Sequence, residues 1–342
     1  MKKLIALLLA LVMVLALAAC GTSSKPAESA PASESTWNVE RPAGLPADYP
    51  NKEITYIYPF GVGSMQDVYI RALAAVIKER EGWKYSIVVQ EKKGASGDIG
   101  WSSFIESAPD GYTLAFAPTA QMITALTLGR DYTPDNLAYI FNMMTDPGAV
   151  GVAANSPYDS LEALLTAAKE NPGTISIGVT SVNGSEGLAV QQLQNASGAV
   201  FNFIPFDDEV QVTTAVANGS CDAFCLNVGD CTTPIEEGTV KVLAVGTPTR
   251  SEFYPDIPTY QECGYDVVQA NSRAIAAPAG TDPAIIKYLS DCFVAASQDP
   301  EVLEAVAALQ VPFDTMDCDT CQKVFLGYYD SFKALWDANP WA

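Results

Sequence analysis

Short apolar strands alternate with amphipathic helices along the chain from Glu53 onward. The segment ITYIYPF precedes MQDVYIRALAAVIKER, in which apolar residues recur at helical spacing, and YSIVVQE then starts the cycle again. A second series of the same kind begins at Ser160. Because parallel strands need a crossover between them, usually a helix, this alternation predicts an α/β fold of mainly parallel sheets flanked by helices.

The length of the chain favours two lobes rather than one. Residues 1–20 form a leader, and residues 21–48 are rich in Ser, Ala, Pro and Glu, which is typical of a flexible tether. About 290 residues remain, which is more than one hydrophobic core usually organises. We expect lobe 1 over residues 49–148 and 266–342 and lobe 2 over residues 149–265.

Extended segments are expected to cross between the two lobes. LAYIFNMMT and AVGVAAN are predicted as two strands that leave lobe 1, and VVQANSRAIAAP as the strand that returns. Helices over residues 283–297, 300–309 and 318–338 would then complete lobe 1. Two lobes joined by two crossing strands are typical of a hinged binding protein. Its ligand cleft should be lined by the loops that follow the carboxyl ends of strands.

The N-terminus has the pattern of an exported lipoprotein. Met1–Lys3 is positively charged, Leu4–Ala18 is apolar, and the run closes on LAAC, which ends at Cys20. This pattern predicts a signal peptide with a lipobox, after which Cys20 becomes a lipidated N-terminus. The alternative is a transmembrane helix, but the run is short for one. The folded body is therefore expected outside the cytoplasm, anchored to the membrane through the tether.

Charge and the absence of His exclude several classes of function. The chain carries 40 acidic and 19 basic residues, no His and a net charge of −21, which becomes −23 when Lys2 and Lys3 leave with the leader. Such a surface disfavours nucleic acid. Without His there can be no Ser-His-Asp or Cys-His triad and no His-containing metal site. We expect no catalysis, no metal and no cofactor.

Seven Cys residues follow Cys20, and their odd number means that they cannot all pair with each other. They are Cys221, Cys225, Cys231, Cys263, Cys292, Cys318 and Cys321. The Cys318-x-x-Cys321 spacing is compatible with a redox pair, a local disulfide or half of a zinc site. Buried, unreactive thiols are the favoured interpretation, and the sequence leaves the disulfide state open.

Two Gly-containing helix starts could hold an anion without a lysine. In Gly61-Val62-Gly63-Ser64-Met65-Gln66-Asp67, Ser64 and Asp67 have capping-box spacing, with Asp67 expected to reach back to the cap. In the segment TSVNGSE, Asn183 and Glu186 have the same spacing. Backbone N–H groups and the helix dipole favour a carboxylate at each start, so the pair would form a clamp. An ordinary capped turn remains the alternative.

A third Gly-rich segment, Gly94–Gly100, superficially resembles a dinucleotide-binding fingerprint. Its first two glycines are spaced one residue too widely, and the acidic residue expected about 20 positions further on is missing. We interpret it as a turn that packs a helix start on the sheet.

Several segments, taken in order, resemble the solute receptors of tripartite tricarboxylate transporters, also called Bug-type receptors. The segments are YPFGVGSMQDVYIRALAAVI, GASGDIG, APDGYTLAFAPTA, AVANGSCDAFCLN, GTVKVLAVGTPTRSEFYPDIPTYQECGY and AIAAPAGTDPAIIKYL. The resemblance runs from about Asn51 to the C-terminus. It implies a type II periplasmic-binding-protein fold and a monomeric extracytoplasmic receptor. That receptor would deliver a small carboxylate to a two-subunit membrane permease.

The resemblance also implies which residues contact the ligand. The family's first turn surrounds one ligand carboxylate with backbone groups and water, and further loops complete the cleft. The matching positions are Phe60, Gly61, Gly63, Ser64, Asp67, Thr119, Gln121, Ser181, Asn183, Gly184, Ser185, Phe206, Asp207, Asn227, Asn271 and Arg273.

Departures from the family pattern bear on specificity. Phe206-Asp207-Asp208 stands where many members carry an aromatic residue and then Lys-Gly, and Cys225-Leu226-Asn227 stands where many have FDN. A missing Lys and added acids disfavour a di- or tricarboxylate and suit a monocarboxylate or a ligand with an amine. Arg273 could pair with a second ligand carboxylate, or with an acid of the protein at the hinge.

Two alternative functions stay open on the sequence. The same pair of lobes could present its ligand to a membrane signalling kinase instead of a permease. It could also be an anchored enzyme, although the chain has no His and no nucleophile at a useful distance from a base.

Overall fold

The structure is a computed structural model, and it describes residues 37–61, 63–94, 97–130, 132–251, 254–307, 313–338 and 340. The predicted signal peptide, its Cys20 and most of the predicted tether lie outside the described residues. Among the helices of the described part, none is both long and apolar enough to cross a membrane.

Strands and helices alternate as the sequence predicts. The strands are β1 (Ile54–Tyr58), β2 (Ile87–Glu91), β3 (Thr113–Pro118), β4 (Leu137–Ala153), β5 (Ser176–Val179), β6 (Asn202–Pro205), β7 (Ala223–Asn227), β8 (Val240–Val245) and β9 (Ala270–Pro278). The helices are α1 (Met65–Arg80), α2 (Asp98–Ile105), α3 (Thr119–Leu128), α4 (Leu161–Glu170), α5 (Ser185–Ser197), α6 (Glu209–Ala217), α7 (Val228–Glu236), α8 (Pro283–Ser297), α9 (Pro300–Val306) and α10 (Cys318–Ala338).

The strands form two parallel sets joined by antiparallel strands. The order is β2-β1-β3-β9-β4-β7-β5-β6, with β8 also paired to β4. β1 is parallel to β2 and β3, and β5 is parallel to β6 and β7. β9 lies antiparallel to β3 and β4 in the first sheet, whereas β4 continues into the second sheet, antiparallel to β7 and β8. The predicted α/β plan is therefore present.

β4 differs from its sequence prediction. The Asp146-Pro147-Gly148 sequence indicates a turn, so two strands were expected, yet one strand runs from Leu137 to Ala153. β9 pairs with this strand up to Pro147, and β7 pairs with it from Gly148 onward. Long-range pairing on both sides of the Pro-Gly step therefore overrides its local turn preference.

Two helices were not predicted from the sequence. α3 contains several threonines and α7 contains Pro234 within the helix, both of which lower helix propensity. The prediction that Thr119 and Gln121 belong to a cleft loop is wrong, because both residues lie in the first turn of α3. Packing of these helices on the sheets, rather than local preference, accounts for them.

The helix caps follow the sequence only in part. Ser64 Oγ accepts a hydrogen bond from Asp67 N at 3.3 Å, as predicted, but Asp67 Oδ2 reaches back to Gly63 N at 2.9 Å rather than to Ser64. Ser160 caps α4 as predicted, with its Oγ 3.1 Å from Ala163 N. The capping box predicted for Asn183 and Glu186 is wrong. The N-cap residue of α5 is Gly184, which has no side chain that could accept a hydrogen bond from the first turn.

Apolar side chains fill both faces of the sheets. One cluster joins Tyr56, Leu73 and Phe141 to helix α8, and another joins Leu164 and Leu193 to the second sheet. The division into residues 49–148 plus 266–342 and 149–265 stays a prediction.

The cysteines of the described part are free thiols. Cys263 is half-buried and the other six are buried. Burial raises the pKa of the Cys321 thiol well above its usual value, which keeps it protonated and unreactive. Within the described residues, no cluster of Cys, Asp and Glu has an arrangement that could hold a metal ion.

Candidate functional site

A cleft lies where the carboxyl ends of strands from both sheets meet the crossing strands. It consists of a smaller cavity of about 410 Å³ and a larger one of about 830 Å³. The two cavities share the lining residues Gln66, Glu209, Asp230 and Arg273. Pockets of this size accommodate small organic ligands.

Helix starts from both sheets face the smaller cavity. Helices α1 and α3 follow strands of the first sheet, and α5, α6 and α7 follow strands of the second. Each contributes first-turn residues to the lining, namely Gln66, Ala120, Gln121, Ser185, Glu186, Glu209 and Asp230. The N-terminal ends of helices carry partial positive charge, so the cleft combines the positive ends of five helices.

The start of α1 is fixed by its own side chains. Tyr58 Oη and Ser64 Oγ are 2.7 Å apart, and Ser64 in turn caps the helix. Asp67 is engaged on both oxygens, by Gly63 N and by Arg71 Nε, each at 2.9 Å. Gly63 has a φ of +92°, a left-handed conformation that favours glycine. Asp67 therefore shapes the turn rather than projecting into the cavity.

The start of α5 is organised by the buried carboxylate of Glu186. Glu186 Oε2 accepts from Thr180 N at 2.6 Å and from Ser181 N at 3.3 Å, and Oε1 accepts from Thr180 Oγ1 at 2.8 Å. Burial nevertheless raises the pKa of Glu186 to about 7, because desolvation outweighs these donors. The amides of Thr180 and Ser181 are thus bound by the chain's own carboxylate and not left for a ligand.

A close backbone approach holds the loop before α5 in place. A Cβ atom at Gly187 would lie 1.8 Å from the carbonyl oxygen of Val182. Only glycine fits at this position without moving the loop that borders the cleft.

Arg273 of β9 forms a buried ion pair with Asp146 of the neighbouring strand β4. Its Nη2 is 2.9 Å from Asp146 Oδ2, and the side chains of Arg273 and Asp146 are only 6% and 1% exposed. Asp146 Oδ1 also accepts from Gly229 N at 3.0 Å. Burial raises the pKa of Asp146, and the Arg273 guanidinium opposes that rise. Of the two roles considered for Arg273, pairing with an acid of the protein is the one seen here.

Gln66 extends this network toward the start of α1. In the carboxamide orientation that satisfies both groups, its oxygen faces Arg273 Nη1 and its Nε2 is 3.0 Å from Ser64 Oγ. Arg273 lines both cavities while bound in this way. The guanidinium is therefore held rigidly at the edge of the cleft.

The residues singled out from the sequence divide into two groups. Those that line the cleft are Phe60, Ser64, Gln121, Ser181, Gly184, Ser185, Asn227, Asn271 and Arg273. Those outside the lining of both cavities, in the part of the chain that the structure describes, are Gly61, Gly63, Asp67, Thr119, Asn183, Phe206 and Asp207.

Residues of the second group have other contacts. Thr119 is fully buried, and its Oγ1 lies 3.2 Å from Asn271 Oδ1 and accepts from Ser272 N at 3.1 Å, which ties α3 to β9. Phe206 packs on the second sheet. Asp207 is exposed, and the adjacent Asp208 caps α6 through Gln211 N at 2.8 Å.

Several residues of the cleft were not identified from the sequence. They are Gln66, Thr180, Glu209 and Asp230, together with Glu186, which is expected from the sequence only as a partner of Asn183. Asp146, which lies behind the lining and pairs with Arg273, was also not identified. Acids in the first turn of a helix that follows a strand would have been a usable signal for Glu186 and Glu209. No local pattern distinguishes Asp146, whose partner Arg273 is 127 residues away.

Sequence comparison identifies the family. A model described as "Tripartite tricarboxylate transporter family receptor" matches residues 70–328. The chain belongs to this family. A related protein, BugT of Bordetella pertussis, is 31% identical over 268 residues, which cover 76% of this chain and 81% of BugT. The family is one of solute-binding receptors rather than of enzymes.

Solved structures agree with this membership. A TctC solute-binding protein from Polaromonas, 25% identical, superposes with a TM-score of 0.74 over 85% of this chain and 99% of that one. MatC from Rhodopseudomonas palustris, with bound malate, is 18% identical and has a TM-score of 0.69 over 84% of this chain and 99% of MatC. The predicted two-lobed periplasmic-binding-protein fold is confirmed.

Proposed function

We propose that this receptor captures a small organic carboxylate in the cleft and delivers it to the two-subunit permease of a tripartite transporter. It acts outside the cytoplasm as a monomer, held at the membrane by a lipid on Cys20. The family match and the malate bound to the structurally similar MatC support a carboxylate ligand.

The observation that carries the proposal is the convergence of helix starts from both sheets on one cavity beside Arg273. A carboxylate there gains from helix dipoles at the starts of α1 and α3 and from the guanidinium at the cleft edge. Tyr58, Phe60 and Phe116 line the same cavity and offer an apolar wall to the carbon skeleton. Phe60 and Phe116 pack edge to face with ring centroids 6.2 Å apart.

The crossing strands supply the hinge in this proposal. A ligand that contacts α1 and α3 on one side and α5 on the other favours the closed arrangement, because it has both sets of contacts only there. Gln66 and Arg273 would contribute from the first sheet, and Ser185 from the second.

Carboxylate binding should raise the melting temperature of the purified chain. We expect at least one small carboxylic acid to stabilise it, by about 2.7 kcal/mol at a concentration one hundred times its Kd. Ala120→Trp should abolish that stabilisation, since Ala120 lines the smaller cavity and an indole there would obstruct the ligand. A scanning-calorimetry series over mono-, di- and tricarboxylates measures both effects.

Lys323→Trp is the matched control, because it adds the same indole at an exposed position of α10. It should leave the ligand-induced shift intact. A flat melting temperature with every acid, or an equal loss of binding in both variants, would contradict binding in this cleft.

Anchoring is tested separately with Cys20→Ser. Because lipid attachment needs the Cys20 thiol, the variant should leave the membrane fraction of cells and incorporate no labelled fatty acid, while the unaltered chain does both. Retention of the variant in the membrane fraction would disprove the lipid anchor without touching the proposal on ligand binding.

A further inference from the structure

The two sides of the cleft differ in charge. On the first-sheet side, α1 and α3 present Gln66, Ala120 and Gln121, with Arg273 beside them. On the second-sheet side, α5, α6 and α7 each present an acid, namely Glu186, Glu209 and Asp230. We call these three residues the acidic wall.

No Lys or Arg of the described residues forms an ion pair with the acidic wall. Arg273, the cation of the lining, is paired with Asp146. Asp230 lies close enough to Asp146 and Glu186 to raise the pKa of each, so the negative charges of this region repel one another.

First-turn acids have an ordinary explanation, since each stabilises its own helix by about 0.3–1 kcal/mol. Asn227 points to a further role. This residue is 6% exposed and lines the smaller cavity with the acidic wall. Its Nδ2 donates to Asp230 Oδ2 at 2.8 Å, which fixes the orientation of the carboxamide. Its Oδ1 then accepts no hydrogen bond from the described residues.

A buried acceptor without a donor is costly, and the carboxylate of Asp230, which the same side chain contacts, can only accept. A ligand that placed a second carboxylate against this wall would add to the repulsion. A ligand that brought N–H donors and a positive charge would satisfy Asn227 Oδ1 and offset the acids.

We infer that the receptor selects an amino-carboxylic acid, with the ligand carboxylate toward α1, α3 and Arg273 and its ammonium group toward Asn227, Glu209 and Asp230. This inference rests on the proposed function and names the chemical class of the solute. An ammonium group supplies three donors, which suits an amide oxygen and two carboxylates.

Calorimetry with four-carbon probes tests the class directly. Butyrate, 2-aminobutyrate, 4-aminobutyrate and succinate all have four carbons, and each of the last three differs from butyrate at a single carbon. Matched three- and five-carbon sets cover other distances between the two charged groups. In at least one set, we expect an aminated acid to bind about tenfold or more tightly than both its amine-free monocarboxylate and its dicarboxylate.

Glu209→Gln and Asp230→Asn locate the ammonium site. Each should weaken the aminated acid about tenfold more than the amine-free one, so that the preference shrinks. Two independent variants guard against misfolding of either, and circular dichroism verifies that each is folded. Glu304→Gln removes an exposed acid on α9 and should leave the preference unchanged.

The outcomes separate the two proposals. Tighter binding of butyrate or succinate than of any aminated acid would overturn this inference and leave carboxylate capture standing. An amine preference that persists in the Glu209→Gln/Asp230→Asn double variant would also overturn it. Failure of every acid to bind would remove both proposals.

Discussion

Replacing Asp146 with asparagine is expected to lower the free energy of unfolding by about 3–5 kcal/mol, the usual cost of breaking a buried ion pair. Arg273 would be left charged and buried, and a guanidinium cannot escape by losing its proton. The amide also cannot accept from both Gly229 N and Arg273 Nη2, as the two carboxylate oxygens do. Urea unfolding at about pH 8, where the Asp146 carboxyl is ionised despite its raised pKa, measures the loss.

Asp110→Asn provides the control, because it breaks an exposed pair with Lys52, in which the side chains are 45% and 57% exposed. Its cost should be about 0–1 kcal/mol. Adding Arg273→Met to Asp146→Asn should recover much of the lost stability, since no unpaired buried charge then remains. Equal losses for Asp146→Asn and Asp110→Asn would show that the stability of the fold does not depend on the ion pair of Asp146 with Arg273.

Stability should fall as pH rises through the titration of Glu186. Its pKa is raised by burial from 4.5 to about 7 in the folded chain, so the folded state holds this proton more tightly than the unfolded state. The bound proton on Glu186 contributes about 3 kcal/mol to the free energy of unfolding below about pH 4.5. This contribution is lost by about pH 7. In Glu186→Gln that dependence is absent, because the amide does not titrate.

The measurement is the difference in unfolding free energy between Glu186→Gln and the unaltered chain across this pH range. It should shift by about 3 kcal/mol in favour of the variant as pH rises. Glu304→Gln removes an exposed acid that lines neither cavity, so it corrects for general charge repulsion and should show no such shift. A shift of opposite sign would mean that the donors of Thr180 and Ser181 outweigh desolvation.

The local parts of the fold follow from local patterns. The helix over Met65–Arg80 was predictable to the residue, because its apolar spacing and its cap at Ser64 act within one turn. The same holds for α4 and for the α8 boundary at Pro283. The alternation of strands and helices predicted the parallel sheets, because parallel strands need a crossover between them, usually a helix.

Features that depend on distant partners were predicted poorly. α3 and α7 were missed because threonines and Pro234 oppose helix formation locally. The sequence predicts two strands in place of β4, because Asp-Pro-Gly favours a turn. Pairing with β9 and β7 keeps this segment extended. Glu186 was assigned to Asn183 by spacing, although it binds Thr180 and Ser181.

The amino-acid sequence by itself determined the α/β plan and, through its ordered motifs, membership of the receptor family. The tertiary structure alone decided which charges meet in the cleft. Asp146 and Arg273 are remote in sequence, and the three residues of the acidic wall come from three helices that follow strands of the second sheet. Burial and hydrogen-bond reach set the charge and chemistry of a binding site, and both arise only when distant segments pack together.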